Sequence, residues 1–269
     1  MSAFASHFAF EFRTGLRDRP LLLMNYLFPL SFYVVVSLLM TQLNPTFRPS
    51  IIPTMVVFVA LTSLILGLPN PLVSAREAGI FRSYRVNGIP ALSVILIPAL
   101  TTAMHTLIAS LIITFTAPVL FHAPLPVNWG AFALFLVLTI FVTAGLGVLI
   151  GVISTSTRIT ILWSQLIFLP SIIIGGLMVP RSALIGALAK IGSLMPSTYS
   201  VQIYDTLVNG AGLDAKAILS VVVLLVGGVL AFAMASYLFS WDSQNTTRRG
   251  SAWLAVAVAV PFVIGMVLL

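Results

Sequence analysis

VSAREAGIFRSYRVNGIP, residues 73–90, is a charged island in an apolar chain. It carries Arg76, Glu77, Arg82 and Arg85. Upstream, no charged residue occurs back to Arg48; downstream, none occurs until Arg158. A compact basic segment between two long uncharged runs is the pattern of a loop that surfaces from a membrane between two crossings. Ser74-Ala75-Arg76-Glu77 also matches the S/T-x-x-E box, in which serine and glutamate satisfy the first free N–H groups of a helix. The spacing predicts a helix from that box to about Val86, stopped by Asn87-Gly88 before Pro90, with Ile80 over Tyr84 and Phe81 over Arg85 one turn apart.

Working outward, the charges cut the chain into pieces of membrane-spanning size, roughly 20 residues each. Spans are expected at about 21–41, 52–72, 91–118, 129–153, 159–178 and 217–240. His122-Ala-Pro-Leu-Pro-Val-Asn128 separates the third from the fourth, and Ser154–Arg158 is a polar turn between the fourth and fifth. The first apolar run has no A-x-A-like site behind it and reads as an uncleaved span. Ahead of it, Phe4, Phe8, Phe12 and Leu16 recur at i, i+4 spacing, as in a helix lying in the membrane interface over residues 1–20. Residues 179–216 carry Leu184, Leu188, Ile191 and Met195 at helical spacing, then Pro196 and a second short helix ending at Asn209-Gly210. Two short helices broken by proline suggest a re-entrant hairpin on the outer side. After a turn at 241–250, residues 251–269 are again apolar and are expected to form a seventh span.

The expected architecture is therefore an all-α polytopic membrane protein, one transmembrane domain over residues 1–269, with a six-span core at 21–240. Only 7% of its 269 residues are charged, against roughly 25% in soluble domains. With no cysteine, thiol catalysis, disulfides and cysteine-ligated metals are excluded. The net charge of +7 is scattered singly between apolar runs, as topogenic or lipid-facing charge is, and does not call for nucleic acid. A cytosolic N-terminus puts Arg13, Arg17, Arg19, Arg76, Arg82, Arg85, Arg158, Arg248 and Arg249 inside, and Arg48, Arg181, Lys190 and Lys216 outside. That distribution satisfies the positive-inside rule.

Chemistry is sparse. His105, near the middle of the third span, is the main ionisable residue inside the spans, so it is a candidate pathway residue; a lone histidine without an acidic neighbour is also a common packing residue. No metal-ligand spacing accompanies it. No G-x-x-x-x-G-K-[ST], G-x-S-x-G or H-E-x-x-H motif occurs, so neither ATP hydrolysis by a P-loop nor these hydrolase chemistries is available to the chain. Small residues at Gly147 and Gly151, Gly175-Gly176 and Gly227-Gly228 mark places where helices can approach closely.

Residues Arg76 to Val86 resemble the cytosolic loop of ABC-2 type transporter permeases. A second similarity is Gly175-Gly176-Leu177-Met178-Val179-Pro180 followed by Met195-Pro196-Ser197-Thr198-Tyr199, which resembles that family's region between the fifth and sixth spans. Arg17-Asp18-Arg19-Pro20, ahead of Phe28-Pro29, fits more loosely. The resemblance covers about residues 1–241. It implies a non-enzymatic membrane subunit of an exporter in a bacterial-type cytoplasmic membrane, embedded in lipid and paired with a second permease copy. ATP and magnesium would sit on a cytosolic ATP-binding subunit and not on this chain. Arg76, Glu77, Gly79, Phe81, Arg82 and Arg85 would couple to that subunit, while Pro180, Pro196, Thr198 and Tyr199 would belong to an outer gate. The apolar lining favours a lipophilic cargo such as a drug, antibiotic or lipid-like molecule. The competing reading is an ion-coupled carrier or channel working alone. The apolar tail at 251–269 departs from the family pattern.

Overall fold

The computed structural model describes residues 3–15, 17–179, 184–210, 212–242 and 251–268, and the regular elements among them are all helical. In chain order they are α1 (Ala3–Gly15), α2 (Arg19–Leu43), α3 (Thr46–Glu77), α4 (Ile80–Val86), α5 (Ala91–Phe121), α6 (Trp129–Ile153), α7 (Thr157–Ile173), α8 (Gly186–Gly192), α9 (196–208), α10 (Ala215–Leu238) and α11 (Ala252–Leu268). Five of them, α2, α3, α5, α6 and α10, are long and apolar enough to cross a membrane. Helix α7 stops at Ile173, five residues short of the expected span. Gly175 and Gly176 follow, and Gly176 takes φ +89°, a left-handed turn that costs glycine nothing.

Helix α3 is the central post. Its most apolar window is 94% buried inside the protein, against 28% for that of α2. The whole run Ile51–Ala60 is buried. Without a hydrophobic driving force in lipid, helices associate through close packing and interhelical hydrogen bonds, and both devices are present. A Cβ at Gly147 would lie 1.9 Å from the Leu64 carbonyl oxygen, and one at Gly151 would meet Leu72 at 3.0 Å, so the G-x-x-x-G pair of α6 is the seat of α3. Gly145 faces Ala231, and Gly228 faces Phe141, which lets α10 lie against α6. Phe32 stacks on Phe58 with centroids 3.9 Å apart, joining α2 to α3, and Phe58 meets Phe168 of α7 at 6.0 Å. Threonines inside α5 and α6 return their hydroxyls to the preceding turn, as Thr106 to the Thr102 carbonyl (2.9 Å) and Thr143 to that of Thr139 (2.6 Å), so they add little polarity to the helix surfaces.

The chain reverses where the sequence indicates. His122 closes α5 at φ 56°, and the Asn128 side chain accepts from the Ala131 N–H (3.0 Å) to cap α6. Ser156 caps α7 in the same way. One local expectation is corrected. Ser74 and Glu77 do not open a helix: both lie in the last turns of α3, which runs on helically to Glu77. The break falls at Ala78-Gly79. Gly79 adopts φ +75°, the Ala78 N–H bonds to the Ser74 carbonyl (2.9 Å) and the Gly79 N–H to that of Arg76 (3.1 Å). This is a glycine-terminated helix end, because the apolar run delivers an uninterrupted helix into the island and only Gly79 can turn it. The elbow so formed sends α4 off as a separate piece, and Gly88 at φ +72° ends it.

Two ends of the bundle are thereby defined. The elbow end gathers α4, the α6–α7 turn at Ser154 and the residues after α10. The opposite, hairpin end holds α8 and α9 with the α5–α6 connection, where the Asn128 N–H bonds to the Val208 carbonyl (3.0 Å).

Candidate functional site: the elbow platform and the buried hairpin

At the elbow end, the island residues separate into three roles. Arg76 turns inward. It is 4% exposed, and its guanidinium donates to the carbonyls of Val152 (2.8 Å) and Ser154. These are carbonyls at the end of α6, where helix groups lack internal partners and a cation is favoured by the helix dipole. Phe81 is also buried, against Phe239 at 5.7 Å, and Phe239 packs edge-on to Trp241 at 5.1 Å. Glu77, Arg82 and Arg85 are exposed. Arg82 forms an ion pair with Asp242, which ties α4 to the segment after α10. Arg82, Arg85, Val86, Trp241 and Asp242 together line a cleft of about 480 Å³.

Helix α1 reaches the same end. The Tyr84 hydroxyl is pushed above its ordinary ionisation range by burial and, secondarily, by the negative charge of Glu11, so α1 and α4 are electrostatic neighbours. Phe8 and Phe12 of α1 pair at 6.3 Å, as the i, i+4 pattern predicts; Leu16 lies outside the described residues. Phe12 stacks on His105 with centroids 4.4 Å apart and planes 4° apart, and the Tyr26 hydroxyl lies 2.7 Å from His105 Nδ1. A Cβ on Gly15 would come within 3.0 Å of His105 Nε2. His105 is thus the anchor under α1, shared with α2, and it lines neither the elbow cleft nor the large groove beside α11. Near it, α2 is wound as a π-turn at Leu23–Leu27 that buries Asn25, and α3 carries one at Leu61–Gly67. Asn25 Oδ1 lies 3.8 Å from where a Gly67 Cβ would stand.

The hairpin residues at the start of α9 are deeply buried. Pro196, Ser197, Thr198, Tyr199 and Ser200 are all inaccessible. Pro196 occupies the first turn of α9, where its missing N–H costs nothing. The Thr198 hydroxyl donates to the Gly192 carbonyl (2.6 Å), that of Ser197 to Ser171 (3.3 Å), and that of Tyr199 to Ser193 (2.6 Å) and Phe262 (3.2 Å). Thr139 and Ser200 hydroxyls meet at 3.0 Å. Thr139 lies ten residues into α6, about 15 Å along its axis, so α9 descends well below the level of Asn128. Pro180 lies outside the described residues.

The sequence reading missed Asp242 and Phe239, whose partners are about 160 residues away. It also missed the inward turn of Arg76 and the docking of α11, where a Cβ at Gly265 would lie 2.3 Å from the Tyr199 hydroxyl. Only Trp241 and the charges beside it hinted at an interfacial element there.

No curated protein and no solved structure matches this chain. The family model for ABC-2 type transporters matches residues 3–207, which take in α1, the elbow and nearly all of the hairpin. A chain of apolar crossing helices that matches this model over three quarters of its length is an integral membrane protein, belongs to the ABC-2 type transporter family, and is a permease subunit of an ABC transporter.

Proposed function

We propose that the chain is the membrane half of an ATP-driven exporter and that the elbow platform is where it receives work. The observation that carries this is the arrangement of α4. It is hinged at a left-handed glycine, rooted by buried Phe81, clamped to the end of α10 through Arg82 and Asp242, and exposes Arg85 beside a cleft. A cytosolic ATP-binding subunit seated there would push on α3 and α10 together. Arg76 extends that linkage to α6. ATP and magnesium are handled on the partner, and two permeases assemble side by side in the membrane. Each state of the pair must contact the ATP-loaded partner differently for a shift to occur.

In this reading the elbow end is cytosolic, which puts the N-terminus inside, and the membrane is a bacterial-type cytoplasmic one. Helix α7 becomes a fifth crossing of about 25 Å. It falls short of the roughly 30 Å hydrocarbon thickness, and the re-entrant hairpin α8–α9 fills the remaining outer depth. Helix α11 becomes a seventh crossing. Its eight 3₁₀ residues rise about 2.0 Å each and its nine α-helical residues about 1.5 Å each, which together reach close to 30 Å. Pro196, Thr198 and Tyr199 act as the outer gate, and the cargo is lipophilic or amphiphilic.

The test is reconstitution with the partner ATPase. Arg85→Glu should leave the assembled fold intact and lower substrate-stimulated ATPase activity and export together. Unchanged coupling in that variant would remove the platform from the mechanism.

A further inference from the structure

Helix α11 lies beyond the stretch matched by the family, yet it forms one wall of a sizeable apolar groove. This groove of about 560 Å³ runs between α11, α6 and α7 and ends at the Leu194–Pro196 turn. Its origin is legible in the side chains. Ala252, Ala255 and Ala259 recur at three- and four-residue intervals along α11 and hollow out its wall. Opposite, Leu149, Ile153 and Ile167 provide branched apolar surface. No lining residue carries a charge, a hydroxyl or a side-chain amide.

We propose that this groove holds one acyl chain of a bilayer phospholipid, an ordered lipid wedged between α11 and α7. The proposal rests on the membrane reading given above. A groove walled by crossing helices opens to hydrocarbon. Water does not fill it, because a buried water needs two to four polar partners, and the lining side chains offer no acceptor and only the indole N–H donors of Trp163 and Trp253 at one end. Left empty, both walls would lose their dispersion contacts. A lipid tail is as apolar as leucine and is the one filler the bilayer supplies everywhere. The shape also suits a chain: the α6 wall from Leu146 to Ile153 extends about 10 Å along its axis, and the α11 wall is longer. Trp163 and Trp253 stand on the groove, and Trp253 is 79% exposed. Tryptophan is enriched where headgroups meet hydrocarbon, so the headgroup lies at that end and the tail runs toward Phe262. The cavity volume is within the roughly 300–1,000 Å³ of small-molecule sites.

The experiment uses the full chain reconstituted in phosphatidylcholine vesicles containing a phosphatidylcholine with a photoactivatable diazirine in one acyl chain. After illumination, adducts are mapped by mass spectrometry. Adducts should concentrate in peptides covering 146–153, 163–167 and 252–263. Ala255→Trp, which fills the groove, should abolish them while leaving adducts on the exposed face of α2 unchanged. Ala259→Leu is the milder variant, and an unchanged melting temperature establishes that either protein is folded. Equal labelling of groove and α2, insensitive to both substitutions, would mean annular lipid only and overturn the proposal. So would displacement of the groove adducts by an exported amphiphile, which would make this a cargo site, or efficient disulfide dimerisation of a Val256→Cys variant, which would make it a contact between copies. Absence of adducts everywhere would contradict the membrane reading itself, a distinct failure.

Discussion

Arg76 and Arg85 are nine residues apart in one charged segment and do opposite jobs. Arg76 is buried and closes the end of α6 through two carbonyls. Hydrogen bonds from a charged group contribute more than neutral ones, and removing the donor leaves the carbonyls unpaired in a dry site. Arg76→Ala should therefore lower stability by about 3 kcal/mol, read as a drop in melting temperature in detergent. Arg76→Lys should recover only part of it, because a point charge cannot span both acceptors. Arg85 is exposed, and Arg85→Ala should leave the melting temperature where it is. Sequence alone grouped the two as one basic surface. Nothing in the local pattern distinguishes a cation that caps a distant helix from one that faces solvent, because the α6 carbonyls that decide it lie 76 residues on. Glu77 illustrates the converse: its spacing from Ser74 fits a capping box, but the helix was already formed upstream, so no free N–H groups remained for it to cap.

At the scale of elements, small residues set the spacing of the bundle. Gly147 admits the Leu64 carbonyl, so Gly147→Leu should prevent α3 from seating against α6. The expected outcome is loss of folded protein in a fluorescence size-exclusion assay, whereas Gly130→Leu, beside the exposed start of α6, should fold normally. The elements themselves were largely legible: charge positions, prolines and Asn-Gly or Gly-Gly steps placed the long helices and the turns to within about six residues. Helix α7 came out shorter than its apolar run because the turn at Gly175-Gly176 is stabilised from outside that run, by Ser197 and Thr198 bonding back to Ser171 and Gly175. The break in the island moved from Ser74 to Gly79 for a similar reason. Continuity of α3 outweighed a local motif, and only the left-handed glycine could end it. The anchoring of α1 on His105 was not legible either, since stacking across 93 residues leaves no periodic trace.

On the scale of the whole molecule, the bundle sorts its segments by side. Helix α4, the Ser154 turn and the Phe239–Asp242 segment meet at one end, and α8–α9 with the Asn128 connection meet at the other. With no native cysteine, this polarity is directly testable. A single cysteine replacing Arg85 should resist a membrane-impermeant thiol reagent added to intact cells, while one replacing Lys190 or Lys216 should react. Labelling at position 85 from outside would reverse the orientation. The central claim is that the elbow platform docks an ATP-hydrolysing partner, and its most direct test is purification of the tagged chain in mild detergent with an ATPase assay on the product. The account predicts a stoichiometric ATP-binding subunit that is lost from a folded Arg85→Glu, Trp241→Ala variant. A chain that purifies alone under several solubilisation conditions, or a partner retained equally by the double variant, would contradict it.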